Sequence, residues 1–130
     1  QCGYALEFAS EALKNNQEVV MAAVTNTGLA FKYASEELKG NFDIVMAAVT
    51  ECGLALEYAS KELKDNFDIV MAAVKQFGWA LEYASNGLKG NFYIGMAALE
   101  QDLDAFKYLN QQEFIIAVAQ HSFDRNLSLP

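Results

Sequence analysis

Proline and long apolar runs are scarce in this sequence. It has 1 proline in 130 residues, and its longest apolar stretches are IVMAAV (44–49), FIIAVA (114–119) and YIGMAAL (93–99). A membrane-spanning helix needs about 20 such residues in succession, so we expect no membrane insertion. The chain carries 9 basic against 17 acidic side chains without a basic cluster, and so lacks the positive patch that attracts a phosphate backbone. We therefore expect no nucleic-acid partner.

Side chains suited to catalysis or metal binding are equally few. The chain has one histidine, His121, and two cysteines, Cys2 and Cys52, none of which forms a pair with zinc-site spacing. Its carboxylates alternate with lysines, as on a solvated helix surface, and no glycine-rich phosphate loop occurs. We expect no enzyme activity, no metal and no cofactor.

Cellular location is not readable from the sequence. The chain begins with glutamine and shows no apolar signal segment, so we expect a soluble protein. The lack of a disulfide framework is typical of a reducing compartment, but the compartment itself stays unassigned.

The sequence does contain a 25-residue repeat. Four copies begin with glycine and cover residues 3–27, 28–52, 53–77 and 78–102. Ten positions are identical in all four, and copies two and three differ at only seven. A fifth copy starts at Leu103 and soon diverges. We interpret residues 103–130 as a C-terminal cap with a wettable outer face, in which FIIAVA forms a shortened second helix.

Each copy predicts two short helices. In copy three the apolar residues from Ala55 to Leu63 share one face, which predicts an amphipathic first helix. Asn66 is placed to cap a second helix whose run Ile69–Val74 has no polar side, so that helix must be nearly fully buried. Between the two lie residue types that tolerate a left-handed turn, and the glycine after the second helix is typical of a helix end. The residues of that connection are Asn15, Gly40, Asp65 and Gly90.

Helices of about ten residues do not persist alone in water, so the copies must stack to bury their apolar sides. We therefore predict an all-α fold, an α-solenoid of about five stacked short helical hairpins, as a single domain over residues 1–130. Because the chain opens at the tail of a copy, we expect it to be a fragment of a longer array.

An aromatic side chain recurs at the sixth position of every first helix: Phe8, Tyr33, Tyr58, Tyr83 and Tyr108. The second position holds Tyr4, Leu29, Leu54 and Trp79. These side chains either pack between neighbouring copies with the hydroxyls at the surface, or form a semi-exposed ladder that binds a protein. The candidate partner-binding residues are Tyr33, Tyr58, Tyr83, Tyr108, Leu29, Leu54 and Trp79.

Copy four is unusual because it carries two extra glycines, Gly87 and Gly95, within its helices. They reflect either sequence drift in a tolerant array or a backbone notch that lets a partner approach beside Trp79.

The pattern ALEYAS-x-ELK-x-N-F-D-I-V-M-A-A-V-x-x-x-G within residues 53–78, echoed from 3 to 102, resembles a family of uncharacterised tandem short-hairpin repeats. That family is a domain of unknown function whose unit is similar to two copies, and the resemblance covers about four fifths of this chain. It implies no activity, because none is established for the family.

Three functional hypotheses follow. The first is a non-enzymatic scaffold that binds a protein through one face of the solenoid, and the second is a structural spacer or self-associating segment of a larger protein. The third is an enzyme with an unrecognised site in the groove, which requires carboxylates to converge with His121 or a tyrosine.

Overall fold

A computed structural model describes residues 2–127 of the chain. The all-α prediction is confirmed, since every regular element in this range is a helix. The α-helices are α1 (Glu11–Lys14), α2 (Gln17–Asn26), α3 (Phe42–Glu51), α4 (Lys61–Lys64), α5 (Phe67–Gln76), α6 (Asn86–Lys89), α7 (Phe92–Gln101) and α8 (Gln111–Leu127). The 3₁₀ helices are Gly3–Phe8, Gly28–Tyr33, Leu38–Gly40, Gly53–Tyr58, Gly78–Tyr83 and Leu103–Tyr108.

The second helix of each copy forms where the sequence predicts it. In copy three, the Asn66 side chain accepts a hydrogen bond from the Ile69 backbone N–H at 3.1 Å and so caps the start of α5. Ile69, Val70 and Val74 are fully buried, and no residue from Ile69 to Val74 is exposed. The prediction of a buried helix over this run is therefore confirmed.

The first helix is not continuous, and that part of the prediction is wrong. In copy three a 3₁₀ helix ends at Tyr58, Ala59 is extended (φ −70°, ψ 157°), and α4 begins after Ser60. The Ser60 hydroxyl accepts from the Leu63 N–H at 3.3 Å, while the Ser60 N–H donates to the Lys39 carbonyl of copy two at 3.0 Å. Because of the break, the Ser60 N–H makes a hydrogen bond to another copy in place of one within its own helix. The predicted apolar face is still buried.

The connection before the second helix is not left-handed, contrary to expectation. No residue between 2 and 127 has a positive φ; Asn15 and Asp65 lie near φ −105°, ψ 10°. These two side chains instead accept hydrogen bonds from the hydroxyls of Ser35 and Ser85 in the next copy, each at 2.5 Å. Contact between copies therefore accounts for a polar residue at this position.

The glycine that starts each of copies one to four is required by a close approach and not by helix termination. A Cβ on Gly28 would lie 2.8 Å from the Ala48 carbonyl oxygen and 2.9 Å from the Cys52 Cβ, at the end of α3 in the same copy. Copy five has Leu103 at this position, and that side chain is 78% exposed. Since α8 does not return over it, no glycine is needed there.

Packing between elements follows the order of the copies. Each ten-residue helix contacts the next, in the order α2, α3, α5 and α7, and α8 contacts α7. The six-residue 3₁₀ helices contact one another in the same order. Those of copies one to four contact the long helix of their own copy, and those of copies two to five contact the long helix of the copy before. The buried apolar residues of all copies form one cluster between these two rows.

The C-terminal segment differs from the predicted cap. FIIAVA lies inside α8, a single helix of 17 residues and not a shortened one. Leu-Lys-x-Asn, which ends one helix and caps the next in copies one to four, is replaced by Glu113-Phe114-Ile115-Ile116, so nothing interrupts α8. Its outer surface is wettable only in part, because large apolar side chains lie exposed among polar ones. Ile115, Ile116, Phe123 and Leu127 are 58%, 61%, 58% and 70% exposed. The cap's last residues, 128–130, lie outside the described part of the chain.

The inner face of α8 closes the expected notch in copy four. Phe114 is 4% exposed and lies where a Cβ on Gly95 would otherwise stand. The notch is therefore filled by the chain itself, and the interpretation of Gly95 as an approach path for a partner is wrong. Gly87 lies exposed on α6, with only the Asp65 carboxylate within 4.0 Å of its missing Cβ.

Candidate functional site

The predicted ladder tyrosines form a row along the molecule, which we call the tyrosine row: Tyr33, Tyr58, Tyr83 and Tyr108. Each is the last residue of a 3₁₀ helix, just before the backbone turns to the extended alanine or leucine that leads to the next helix. All four are half-buried and pack against the core. Phe8 holds the same position in copy one and is 86% exposed. Burial of the ring therefore depends on a preceding copy.

The phenol groups of this row influence one another. The Glu57 carboxylate, as an acceptor for the Tyr58 hydroxyl, raises the pKa of that phenol, and partial burial adds to the effect. Burial likewise raises the pKa of Tyr83, and the negative charges of Glu57 and Glu82 reinforce it. The phenols of Tyr58 and Tyr108, in the copies on either side, also raise the pKa of Tyr83. The 3₁₀ helices that end with these tyrosines contact one another in order, so the row is continuous from copy to copy.

The second-position residues lie four residues earlier on the same 3₁₀ helices and differ in exposure. Leu54 is 36% exposed, whereas Leu29 and Trp79 are half-buried. The Trp79 ring packs edge-on against Tyr108, with 5.9 Å between ring centroids. Its indole Nε1 is buried and makes no hydrogen bond in the described part of the chain. The structure thus brings Trp79 and the end of the tyrosine row together.

A row of charged side chains, which we call the charged row, stands beside the tyrosines: Glu7, Lys32, Glu57, Glu82 and Lys107. All five are exposed. The Lys107 ammonium lies 4.1 Å from the centroid of the Trp79 ring and 5.3 Å from that of Tyr108, a cation–π geometry. The Tyr33 phenol beside Lys32 raises the pKa of that ammonium, which lies 4.9 Å from the ring centroid. The face therefore offers ring surfaces, phenol hydroxyls and charges of both signs.

Sequence reasoning missed a second set of aromatic residues, which we call the phenylalanine row: Phe42, Phe67 and Phe92. They begin α3, α5 and α7, directly after the capping asparagine. Phe42 and Phe67 are each 42% exposed, whereas Phe92 is half-buried beneath His121 of α8. Recurrence of phenylalanine at one position in three of the four copies was the signal that could have found it.

His121 has a packing role in this arrangement. Its imidazole stacks on Phe92, with 4.1 Å between ring centroids and 17° between the planes, and meets Tyr93 edge-on at 6.0 Å. It lines none of the three described hollows, whose walls lie near the start of copy one, along α2 and between α5 and α7. None of these three hollows therefore brings His121 together with a carboxylate.

The remaining chemical groups lie apart from one another. Cys2 is an exposed free thiol and Cys52 a half-buried one. Between residues 2 and 127, the His, Cys, Asp and Glu side chains form no cluster of three able to hold a metal ion. In the same range, no helix combines the length and apolar character that crossing a bilayer demands.

Comparison with known proteins finds a family match. The family described as Domain of unknown function (DUF4116) matches residues 1–39 and 41–89, about two thirds of the chain. The match stops before α7, so it covers less of the chain than the resemblance in the sequence suggested. No curated protein and no solved structure matches. The chain belongs to the family of proteins with this domain of unknown function.

Proposed function

We propose that this protein is a non-enzymatic helical-repeat scaffold that binds a partner protein along the tyrosine row. The observation that carries the proposal is the continuity of the row. Four half-buried phenols recur at the ends of 3₁₀ helices that contact one another in order, beside exposed charges of both signs. Tyrosine, tryptophan and arginine dominate binding energy at protein interfaces, because large rigid rings contribute area at small entropic cost.

The packing of the copies supports the solenoid part of this proposal. Contacts pass from each copy to the next, and the core lies between a row of 3₁₀ helices and a row of long helices. A surface built this way repeats with every copy, and it suits an extended partner segment that contacts several copies. The charged row, with lysine in copies two and five and glutamate between, would fix the register of such a segment.

The test compares two sets of substitutions on different surfaces. Tyr33→Ala, Tyr58→Ala and Trp79→Ala together remove rings from the proposed face, and the matched control carries Phe42→Ala and Phe67→Ala. Both proteins are checked for folding by circular dichroism and are then used for quantitative affinity capture from cells that express the intact protein.

We expect at least one partner to be retained by wild type and by the phenylalanine control and lost by the tyrosine-row variant. Equal capture by all three folded proteins would contradict the proposed face, and so would loss confined to the phenylalanine control.

Self-association is a second candidate function, and the outer face of α8 favours it. Ile116, Phe123 and Leu127 lie on one side of that helix and are each more than half exposed. Apolar stripes of this kind commonly mark an interaction surface. Sedimentation of wild type against Ile116→Gln with Phe123→Gln tests this function. A wild-type dimer that the substitutions convert to a monomer would support it, whereas a strictly monomeric wild type would oppose it.

A further inference from the structure

The side of copy one that faces away from copy two exposes apolar positions which the later copies bury. We call this side the upstream face. Val19 is 37% exposed, whereas Ile44, Ile69 and Ile94 at the same position are fully buried. The contacts that bury these isoleucines come from the preceding copy, since each long helix packs on the one before it.

Other positions of the upstream face show the same difference. Leu13 is 45% exposed, but Leu38 in copy two is 6% exposed. Ala5 is exposed, while every equivalent alanine in copies two to five is fully buried. A mainly apolar hollow of about 310 Å³ lies on this face, and its walls include Ala5, Leu6 and Val19. The upstream face is therefore equivalent to the surface with which each later copy packs against the copy before it.

The upstream face also holds an unused hydrogen-bond donor. The backbone N–H groups of Ser35, Ser60, Ser85 and Asn110 donate to the carbonyls of Lys14, Lys39, Lys64 and Lys89, each at 2.9 to 3.0 Å. Ser10 is the equivalent residue in copy one, and its N–H makes no hydrogen bond within residues 2–127. Its backbone (φ −66°, ψ 161°) matches that of Ser60 (φ −61°, ψ 159°), so the donor already has the geometry of the interface.

The backbone enters copy one as it enters the other copies. Cys2 is extended, like Thr27 and Cys52 at the later junctions, and its carbonyl accepts from the Ala5 N–H at 3.0 Å. The corresponding bond from Ala30 to Thr27 is 2.9 Å. The start of copy one therefore already has the backbone conformation that the later copies adopt where they pack on the copy before them.

A second folded copy of this chain has no free counterpart of the apolar pair that covers this side of each later copy. The side of each hairpin that packs against the following copy carries a pair of apolar residues on the long helix, such as Val20 with Val24. Those pairs are fully buried in copies one to three, and in copy four Phe114 fills the position of Gly95. The matching surface exists only on a hairpin that has no copy after it.

We propose that the upstream face binds one further hairpin of the same repeat. That hairpin supplies a lysine carbonyl to the Ser10 N–H and a pair of apolar side chains to the hollow beside Val19. It folds only as it docks, because a lone hairpin buries too little apolar surface to be stable.

Grafting a copy onto the chain tests this proposal. The sequence of residues 53–77 is placed ahead of Gly3, with its last residue in place of Cys2. The control graft is identical except that the positions copied from Val70 and Val74 are serine. We expect the docking graft to raise the midpoint of thermal unfolding by at least about 5 °C in one transition. The Ser10 amide should become protected from hydrogen exchange, and the control graft should produce neither effect.

Two results would overturn the proposal. One is a docking graft that leaves both the midpoint and the Ser10 amide unchanged. The other is a dimer of the ungrafted chain that Val19→Asp converts to a monomer, because the occupant would then be a second copy of this protein. Neither result depends on the tyrosine row, so the two proposals can fail separately.

Discussion

Glycine serves different purposes at different positions of this chain, and copy four contains two contrasting cases. Gly87 lies exposed on α6 with open space around its missing Cβ, whereas Gly95 lies buried in α7 against Phe114. Both lie in helices, where glycine is less favourable than alanine, and neither has a positive φ. The repeat already separates the two positions, because the other copies hold alanine or glutamate at the first and valine at the second. The position of α8 explains how Gly95 can replace a buried valine, since Phe114 fills the space beside it.

Alanine substitution should therefore have opposite effects at these two sites. We expect Gly87→Ala to raise the free energy of unfolding by about 0.5 to 1 kcal/mol, because it removes backbone freedom from the unfolded chain. Gly95→Ala should lower it by about 1 to 3 kcal/mol, because the new methyl group forces Phe114 to move. Urea unfolding of the two single variants measures both values. Stabilisation by Gly95→Ala would show that α8 does not pack on this glycine.

The raised pKa values of Tyr58 and Tyr83 make stability sensitive to alkaline pH. A phenol with a higher pKa in the folded state holds its proton more tightly there than in the unfolded chain, whose value is about 10. This contribution to stability is complete below pH of about 10 and is lost as the pH rises through the folded pKa. We therefore expect the free energy of unfolding to fall above pH of about 10, as measured by urea unfolding across that range.

Two substitutions separate the sources of this pH dependence. Tyr58→Phe should flatten part of the alkaline decline, because it removes one of the shifted phenols. Lys32 also has a raised pKa, so its contribution is lost in the same direction, and Lys32→Gln measures it separately. Tyrosinate absorbance that rises with an ordinary midpoint in both wild type and Tyr58→Phe would contradict the shifts.

At the level of elements, the Ala-Ser pair decides how neighbouring copies are joined. A continuous first helix would satisfy the serine N–H within its own copy, but the break at this pair turns the group toward the preceding copy. Helical periodicity correctly indicated which residues of this segment are buried. It could not indicate the break, since a capping serine inside a short helical pattern is also tolerated in a continuous helix.

Proline at two equivalent serines isolates the bond between copies. Ser10 and Ser60 both have φ near the value of proline, and the alanine before each is extended, so the backbone tolerates proline at either site. Both substitutions remove the capping hydroxyl. Only Ser60→Pro also removes an N–H that donates to another copy, and its ring crowds the Lys39 carbonyl.

We expect Ser60→Pro to lower the free energy of unfolding by about 1 to 3 kcal/mol more than Ser10→Pro does. Chemical denaturation of both variants gives this difference directly. Equal losses would mean that the hydrogen bond between copies contributes nothing to stability.

Prediction from the sequence succeeded for features that every copy of the repeat encodes. It failed where a copy contacts a segment that does not follow the repeat. The buried run Ile69–Val74 and the capping Asn66 are visible in copy three alone and were confirmed. Long-range packing explains the failures, because α8 decides the environment of Gly95 and the exposure of Phe92. The apolar outer face of α8 was missed because a cap was assumed to end in a polar surface, although Ile116 and Phe123 lie there.

On the scale of the whole molecule, stability belongs to the row of copies and to no single hairpin. The buried residues of all copies form one cluster, and the contacts that build it pass from copy to copy. In such an array the free energy is a sum of weak units and favourable interfaces, so neighbouring copies tend to unfold together. Trp79, the one tryptophan of the chain, reports on copy four.

Removing the same buried side chain from a distant copy and from copy four should therefore change the Trp79 signal equally. Ile44 and Ile94 hold the same position in copies two and four, and both are fully buried. We expect Ile44→Ala and Ile94→Ala each to lower the free energy of unfolding by about 2 to 5 kcal/mol. Urea unfolding monitored by Trp79 fluorescence measures both values. Far-UV circular dichroism should give the same midpoints, because one cooperative transition is seen alike by every probe. A Trp79 transition that moves with Ile94→Ala but not with Ile44→Ala would instead mean that cooperativity does not extend from copy two to copy four.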